Sequence, residues 1–290
     1  MPANDVPSIR VLRVDDHARD AAGFTYVYPV VSRRAGGVSV GINLNPNNAC
    51  NWRCVYCQVP DLTRGGPPPI ALDQLEAELD AMLHDIVHGD FMTRSVPEGA
   101  RRLNDVAFSG NGEPTMSPEF PQAVERVRHL LQRYDLLGRI KVVLITNGSQ
   151  LYRARVQQAL AALKTLNGEV WFKLDRAPQD GFSEVNQVQL NREAVARHLA
   201  AAAQGCPTWL QTCMFMREGR LPDEAEIQAY LDFVAAQLAD GVKLEGVLLY
   251  GLARPSMQVE APLLAAAPRE WMQSVADRIA ALGLAVRLSI

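Results

Sequence analysis

Three of the five cysteines in this 290-residue chain, Cys50, Cys54 and Cys57, fall within the stretch NACNWRCVYCQVP, residues 48 to 60. Their spacing is C-x3-C-x2-C, and the next cysteine in the chain is Cys206. In a reducing cytoplasm, clustered thiols are more often metal ligands or catalytic groups than disulfides, and an odd count argues against complete pairing. A structural zinc ion wants four closed ligands. The only nearby histidines, His84 and His88, sit an i, i+4 step apart on a polar helix face with Asp80, which reads as a solvated surface. Cysteine thiolates are also the usual ligands of iron–sulfur clusters. Three thiols on a [4Fe–4S] cluster leave one iron without a protein ligand, so a substrate or cosubstrate can occupy that position. The spacing therefore points to a reactive cluster rather than one that only carries electrons.

Three further polar stretches end apolar runs. SGNGEP (109–114) holds Gly110, Asn111, Gly112 and Glu113. Its glycines would let backbone carbonyls approach a ligand ammonium closely, with Glu113 adding negative charge; it also reads as a plain strand-to-helix turn, helped by Pro114. ITNGS (145–149) contains Asn147-Gly148, an ordinary turn pair. In WFKLD (171–175), Lys173 and Asp175 share one strand face and form either a ligand contact or a charged pair.

These stretches must be positioned by a regular scaffold. After residue 36 short apolar runs alternate with amphipathic ones. The apolar runs are VSVGINL (38–44), DVAFSG (105–110), IKVVLITNG (140–148), EVWFKLD (169–175), TWLQTCMF (208–215) and LEGVLLYG (244–251), with AVRLSI closing the chain. Their β-branched and aromatic content suits buried strands. The intervening segments carry a helical period; in LDQLEAELDAMLHDIVHG (72–89), Asp73 is the expected cap with Glu76 three residues on, and Gly89 the expected end. Six βα units predict an α/β fold with a parallel sheet, either doubly wound or a partial barrel, with the site at the C-terminal strand ends. IRVLRV and FTYVYPVV read as strands of an N-terminal extension over residues 1–36, packed on a main domain over 37–290.

Composition limits the function classes. The chain is 48% hydrophobic and 21% charged, with net charge -3. That is a globular composition without an overall nucleic-acid footprint. Arg33, Arg34, Arg53, Arg64, Arg101 and Arg102 could form a local basic patch or be solvated surface. There is no secretory signal pattern and no apolar run of membrane-spanning length, so a soluble cytoplasmic protein with no membrane contact is expected.

The cysteine spacing, with an aromatic residue (Tyr56) before the last cysteine, resembles the signature of radical S-adenosylmethionine (SAM) enzymes. The stretch YPVVSRRAGGVSVGINLNP leading into CNWRCVYCQ, with SGNGEPT, FSEVNQ, QTCMF and YGLARPS, resembles a subgroup of iron–sulfur oxidoreductases related to wyosine-type tRNA-modifying enzymes. The resemblance implies a partial (βα)6 TIM-type barrel, with a [4Fe–4S] cluster on Cys50, Cys54 and Cys57 and SAM chelating the open iron. It implies reductive cleavage of SAM to a 5′-deoxyadenosyl radical that abstracts hydrogen from a substrate. It further implies an electron donor such as flavodoxin or ferredoxin. The SAM contacts it implies are Tyr56 at the adenine, Gly110 to Glu113 at the amino group, Lys173 or Asp175 at the carboxylate or ribose, and Asn147; Arg254 in the last loop would contact cofactor or substrate, or face water. Wyosine-forming enzymes carry further N-terminal cysteines, and this chain has none before Cys50, so that reaction does not carry over.

A small-molecule substrate is favoured over RNA or protein. Activation of a glycyl-radical partner and modification of an RNA base are the alternatives within radical chemistry. A non-catalytic metal-binding scaffold is the alternative from another class. Cys206 and Cys213 would lie about 20 Å apart if extended, too far to bridge. Cys206 is expected as a free buried apolar residue. Cys213 shares a pleat face with Gln211 and is either core or cavity lining.

Overall fold

A computed structural model of the chain describes residues 11–12, 22–32, 36–177 and 181–290. The main sheet has eight strands: β1 (Val27–Ser32), β2 (Gly37–Asn43), β3 (Leu103–Ser109), β4 (Lys141–Thr146), β5 (Gly168–Lys173), β6 (Thr208–Cys213), β7 (Gly246–Tyr250) and β8 (Ala285–Ser289). Their spatial order follows their chain order from one edge to the other. A doubly wound sheet reverses its winding at a switch point; this sheet never does. It winds in one direction and curls into a half-barrel of mixed α/β type. Strands β2 to β8 are mutually parallel, and β1 adds antiparallel to β2, with Val27 opposite Ile42 and Ser32 opposite Gly37. FTYVYPVV thus contributes an edge strand of the barrel sheet. IRVLRV falls mainly outside the described residues, as do Arg33 and Arg34.

The long helices are α1 (Leu72–His88), α2 (Phe120–Arg133), α3 (Ala154–Lys164), α4 (Arg192–Gly205), α5 (Glu224–Ala239) and α6 (Arg269–Ala280). They cover the outer face, where Val40, Ile42, Phe108, Leu144, Phe172, Leu210 and Leu249 join one continuous core with helical residues such as Leu79, Val127 and Leu160. The inner face carries a separate small cluster of Ala107, Val143, Trp171, Trp209 and Leu248. Alternation of side chains along each strand produces the two cores. None of the helices among the described residues is long and apolar enough to cross a membrane.

Local expectations meet two corrections. Asp73 does not cap α1: Ala71 precedes the helix without a side-chain bond, and Asp73 faces Arg126 of α2 instead. Glu76 likewise turns outward to Arg126 and His129, because α2 packs beside α1 and supplies the cations. True caps form on α4, at Asn191, and on α5, where Asp223 and Glu226 make a capping box. TWLQTCMF is also not one strand. It breaks after Cys213, and Phe215–Arg217 pairs antiparallel with Leu264–Ala266 above the barrel. His84 and His88 are exposed, as their polar helix face suggested.

Candidate functional site at the C-terminal strand ends

The loop between β2 and α1 carries the three cysteines across the barrel mouth. Backbone bonds set its path: Cys57 N donates to Cys54 O at 2.9 Å, Val55 N to Val185 O at 2.9 Å, and Arg53 N to Asn186 O at 3.3 Å. Ala49–Cys50 pairs with Thr63–Arg64, which folds the loop back on itself. The far side of the barrel clamps it from above. Ser256 Oγ donates to Val55 O at 2.7 Å and Cys57 O at 3.1 Å, and Gln258 Nε2 donates to Val59 O at 2.9 Å. Glu260 grips Arg53 through both carboxylate oxygens, at 2.8 and 3.0 Å.

All three cysteines line one cavity of about 990 Å³, together with Tyr56, Asn111, Lys173 and Arg254. Among the described residues, no three His, Cys, Asp or Glu side chains close on a point that would hold a single metal ion. Burial pushes the Cys50 thiol up to about 11 and the Cys54 thiol up to about 12. Ligand thiols must lose their protons on metal binding. Two donors stand ready for the resulting charge: Trp52 N lies 3.5 Å from Cys50 Sγ, and Asn186 Nδ2 lies 3.2 Å from Cys54 Sγ.

The glycine-rich turn is shaped by its neighbours. Gly110 has φ +129, and a Cβ on Gly112 would sit 2.2 Å from the carbonyl oxygen of Ala49. Glycine at 112 therefore lets the turn lie flush against the residue before Cys50. Asn111 Nδ2 donates to Asn48 Oδ1 at 2.6 Å, which orients the amide; its Oδ1 is buried without a hydrogen-bond partner on the cavity wall. Such an acceptor suits an ammonium group. Glu113 is spent on the protein. It accepts from Thr115 N at 3.2 Å, Thr146 Oγ1 at 2.6 Å and Asn147 N at 2.7 Å. Burial raises its carboxyl pKa while these bonds oppose the rise. Asn147 is engaged as well, donating to Asn51 Oδ1 at 2.9 Å and accepting from Ser149 N at 3.0 Å. It holds the cysteine loop at Asn51.

Lys173, Tyr56 and Asp175 form one array. Tyr56 Oη donates to Asp175 Oδ2 at 2.6 Å, and Lys173 Nζ lies 3.4 Å from Tyr56 Oη and 5.2 Å from the ring centre. Burial lowers the Lys173 pKa, but Tyr250, Cys54, Asp175 and Cys57 around it outweigh that and raise it, so the ammonium stays charged. Asp175 does not line the cavity. Its oxygens accept from Tyr56, from Asn186 Nδ2 at 2.8 Å and from Cys213 N at 2.9 Å. Of the pair read from WFKLD, Lys173 alone faces the cavity. Arg254 lines it too, while its backbone oxygen accepts from Gln58 Nε2 at 3.3 Å.

Cys206 and Cys213 are both free and buried. Cys213 packs with Val55, Tyr56, Val185 and Phe215 and also borders the cavity, so the two readings of it meet in one position. Sequence reasoning missed Asn45, whose Nδ2 donates to Ala49 O at 2.9 Å, and Asn186, Ser256, Gln258 and Glu260. The stretches FSEVNQ and YGLARPS contain two of these, but nothing local to them marks the cysteine loop as their partner.

A curled, singly wound half-barrel whose mouth is crossed by a C-x3-C-x2-C loop defines a class of cluster-dependent enzymes. Residues 44–218 match the Radical SAM superfamily, and the chain belongs to that superfamily. A UPF0026 protein of Helicobacter pylori is 26% identical over 160 residues, 55% of this chain and 45% of the relative. A UPF0026 protein of Methanocaldococcus jannaschii is 28% identical over 164 residues, 55% of this chain and 43% of the relative. The chain thus spans under half the length of these curated relatives. The fold is similar to that of TYW1 with a lysine–pyruvate adduct bound, with a TM-score of 0.55 and 13% identity over 86% of this chain and 74% of that one. It is also similar to a radical SAM methyltransferase from Sphaerobacter thermophilus, with a TM-score of 0.54 and 15% identity over 87% and 66%.

Proposed function

We propose that this protein is a radical SAM enzyme that holds one [4Fe–4S] cluster on Cys50, Cys54 and Cys57 and acts on a small-molecule substrate. The observation that carries the reading is the shared cavity: three thiols, an unpartnered acceptor at Asn111 and a charged Lys173 face one space. Bound cluster and SAM would supply a one-electron cleavage that yields a 5′-deoxyadenosyl radical able to abstract hydrogen.

The chain's own residues bind, orient and exclude water. Asn111 Oδ1 accepts from the SAM ammonium and Lys173 donates to its carboxylate or ribose. Tyr56, pinned by Asp175, flanks the adenine, and Arg254 contributes from the last loop. Gly110, Gly112, Glu113 and Asn147 keep the turns pressed against the cysteine loop. The loop carrying Ser256 to Glu260 fastens the cysteine loop in place. A reducing protein such as flavodoxin or ferredoxin in the cytoplasm is the electron source this reading needs.

Anaerobic iron and sulfide reconstitution of single Cys50, Cys54 and Cys57 to Ala variants tests the ligand set. Each is expected to lose the cluster's visible absorption, and wild type is expected to change its reduced EPR signal when SAM is added. A fully loaded triple variant, or a wild-type signal indifferent to SAM, would overturn the assignment.

A further inference from the structure

The cavity reaches the inner face of the sheet beside the proposed SAM contacts. Ala107 and Trp171 of the inner-face cluster line it. Gln211 projects from the middle of β6, in register with Lys173 on β5 and Leu248 on β7. Gln211 is 1% exposed, borders the cavity, and its Oε1 is buried with no hydrogen-bond partner. Leaving a buried amide oxygen unmet is costly, and an apolar side chain of the same volume would fill the layer without that cost. The orphan is therefore an acceptor kept for a group from outside the chain.

Two neighbours narrow the chemistry. Trp171 lines the cavity, and its indole N–H is tied to Glu169 Oε2 at 3.3 Å, which fixes the ring. Lys173, in register with Gln211 one strand away, carries its ammonium into the same cavity. A carboxylate or phosphate has no donor to offer the Gln211 oxygen, and a cation would lie beside the Lys173 ammonium. An uncharged amide or hydroxyl donor on a flat or apolar body would meet a partner and a ring surface.

We propose that Gln211 is a specificity-determining residue that accepts an N–H or O–H group of an uncharged small molecule whose apolar or planar body rests on Trp171. That this molecule is the hydrogen donor of the reaction rests on the proposed radical SAM chemistry; the subsite itself does not. At about 990 Å³ the cavity lies at the upper end of the range of ligand pockets, about 300–1,000 Å³, which leaves room beside a cofactor.

The probes are benzamide, methyl benzoate and benzoate, titrated by calorimetry or ligand-observed NMR into anaerobically reconstituted protein, with and without SAM. Benzamide has the N–H donor, the ester lacks it, and benzoate adds negative charge. Benzamide is expected to bind at least tenfold more tightly than either analogue, a difference of about 1.4 kcal/mol. Gln211→Leu is expected to erase that preference. Gln211→Met, which also keeps the volume and removes the amide, carries the comparison if the leucine variant does not fold. Equal binding of the three probes, no binding of any, or a benzamide preference that survives both substitutions would overturn the proposal. Preferential benzamide binding in a protein that forms no 5′-deoxyadenosine keeps the subsite and removes the reaction; the converse keeps the reaction and removes the subsite.

Discussion

Asp175 and Lys173 sit two residues apart and do opposite jobs. Asp175 satisfies Tyr56, Asn186 and the Cys213 amide, so Asp175→Ala leaves three buried donors unmet. At about 1–3 kcal/mol for each unsatisfied buried group, the loss of stability should be on the order of 3 kcal/mol or more. Anaerobic urea unfolding measures it, and a loss below about 1 kcal/mol would remove Asp175 as the anchor of the array. Lys173→Met acts on the ligand instead. A charge-assisted hydrogen bond is worth about 1.5–3 kcal/mol, so SAM affinity measured by calorimetry should fall by roughly tenfold or more. The sequence marked both residues as site residues but could not divide these roles. Strand alternation tells which face a side chain takes; it does not tell that Tyr56 and Cys213, 119 and 38 residues away, would saturate one carboxylate. Glu113 and Asn147 repeat the lesson, since both line the cavity yet also tie loops together.

At the scale of elements, loop contacts decide whether the cysteines are presented. Gly112→Ala would place a methyl carbon against the Ala49 carbonyl oxygen, a backbone atom that cannot swing away. The glycine turn and the cysteine loop must then separate. Iron per chain after reconstitution is expected to fall well below wild type, while a fully loaded variant would show that the contact is dispensable. The Arg53–Glu260 clamp has a pH signature. The hydrogen bond from Arg53 holds the Glu260 carboxyl below its ordinary value of 4.5, against the effect of burial. Its folded pKa is depressed, so its stabilising contribution is present above pH 4.5 and is lost as pH falls through the lower folded value. Wild type should therefore exceed Glu260→Gln in stability at neutral pH, and the gap should close in acid. A gap that persists to low pH would show that the charge is not what holds the loop. The strands and helices around these loops were legible because the apolar runs and helical periods stand in the sequence. The clamp was not, because Arg53 and Glu260 lie 207 residues apart and meet only when the sheet curls.

For the whole molecule, the sequential strand order is the fact that periodicity alone left open. Six βα units suit a doubly wound sheet and a barrel equally; only the pairing of each strand with its successor turns the sheet into a half-barrel. That curl brings SGNGEP, ITNGS, WFKLD and YGLARPS to one mouth around the cysteine loop. The cysteine loop was legible from its spacing, and the place of Gln211 on the cavity wall was not, since a strand's inner residues read the same whether they meet a packed core or a ligand. The central claim is that this mouth cleaves SAM. Its most direct test is 5′-deoxyadenosine formation by anaerobically reconstituted protein given SAM and dithionite, quantified by chromatography. Wild type is expected to form 5′-deoxyadenosine and methionine, and the Cys50, Cys54 and Cys57 triple Ala variant none. A cluster-loaded wild type that leaves SAM intact, or a triple variant that cleaves it equally well, would contradict the claim.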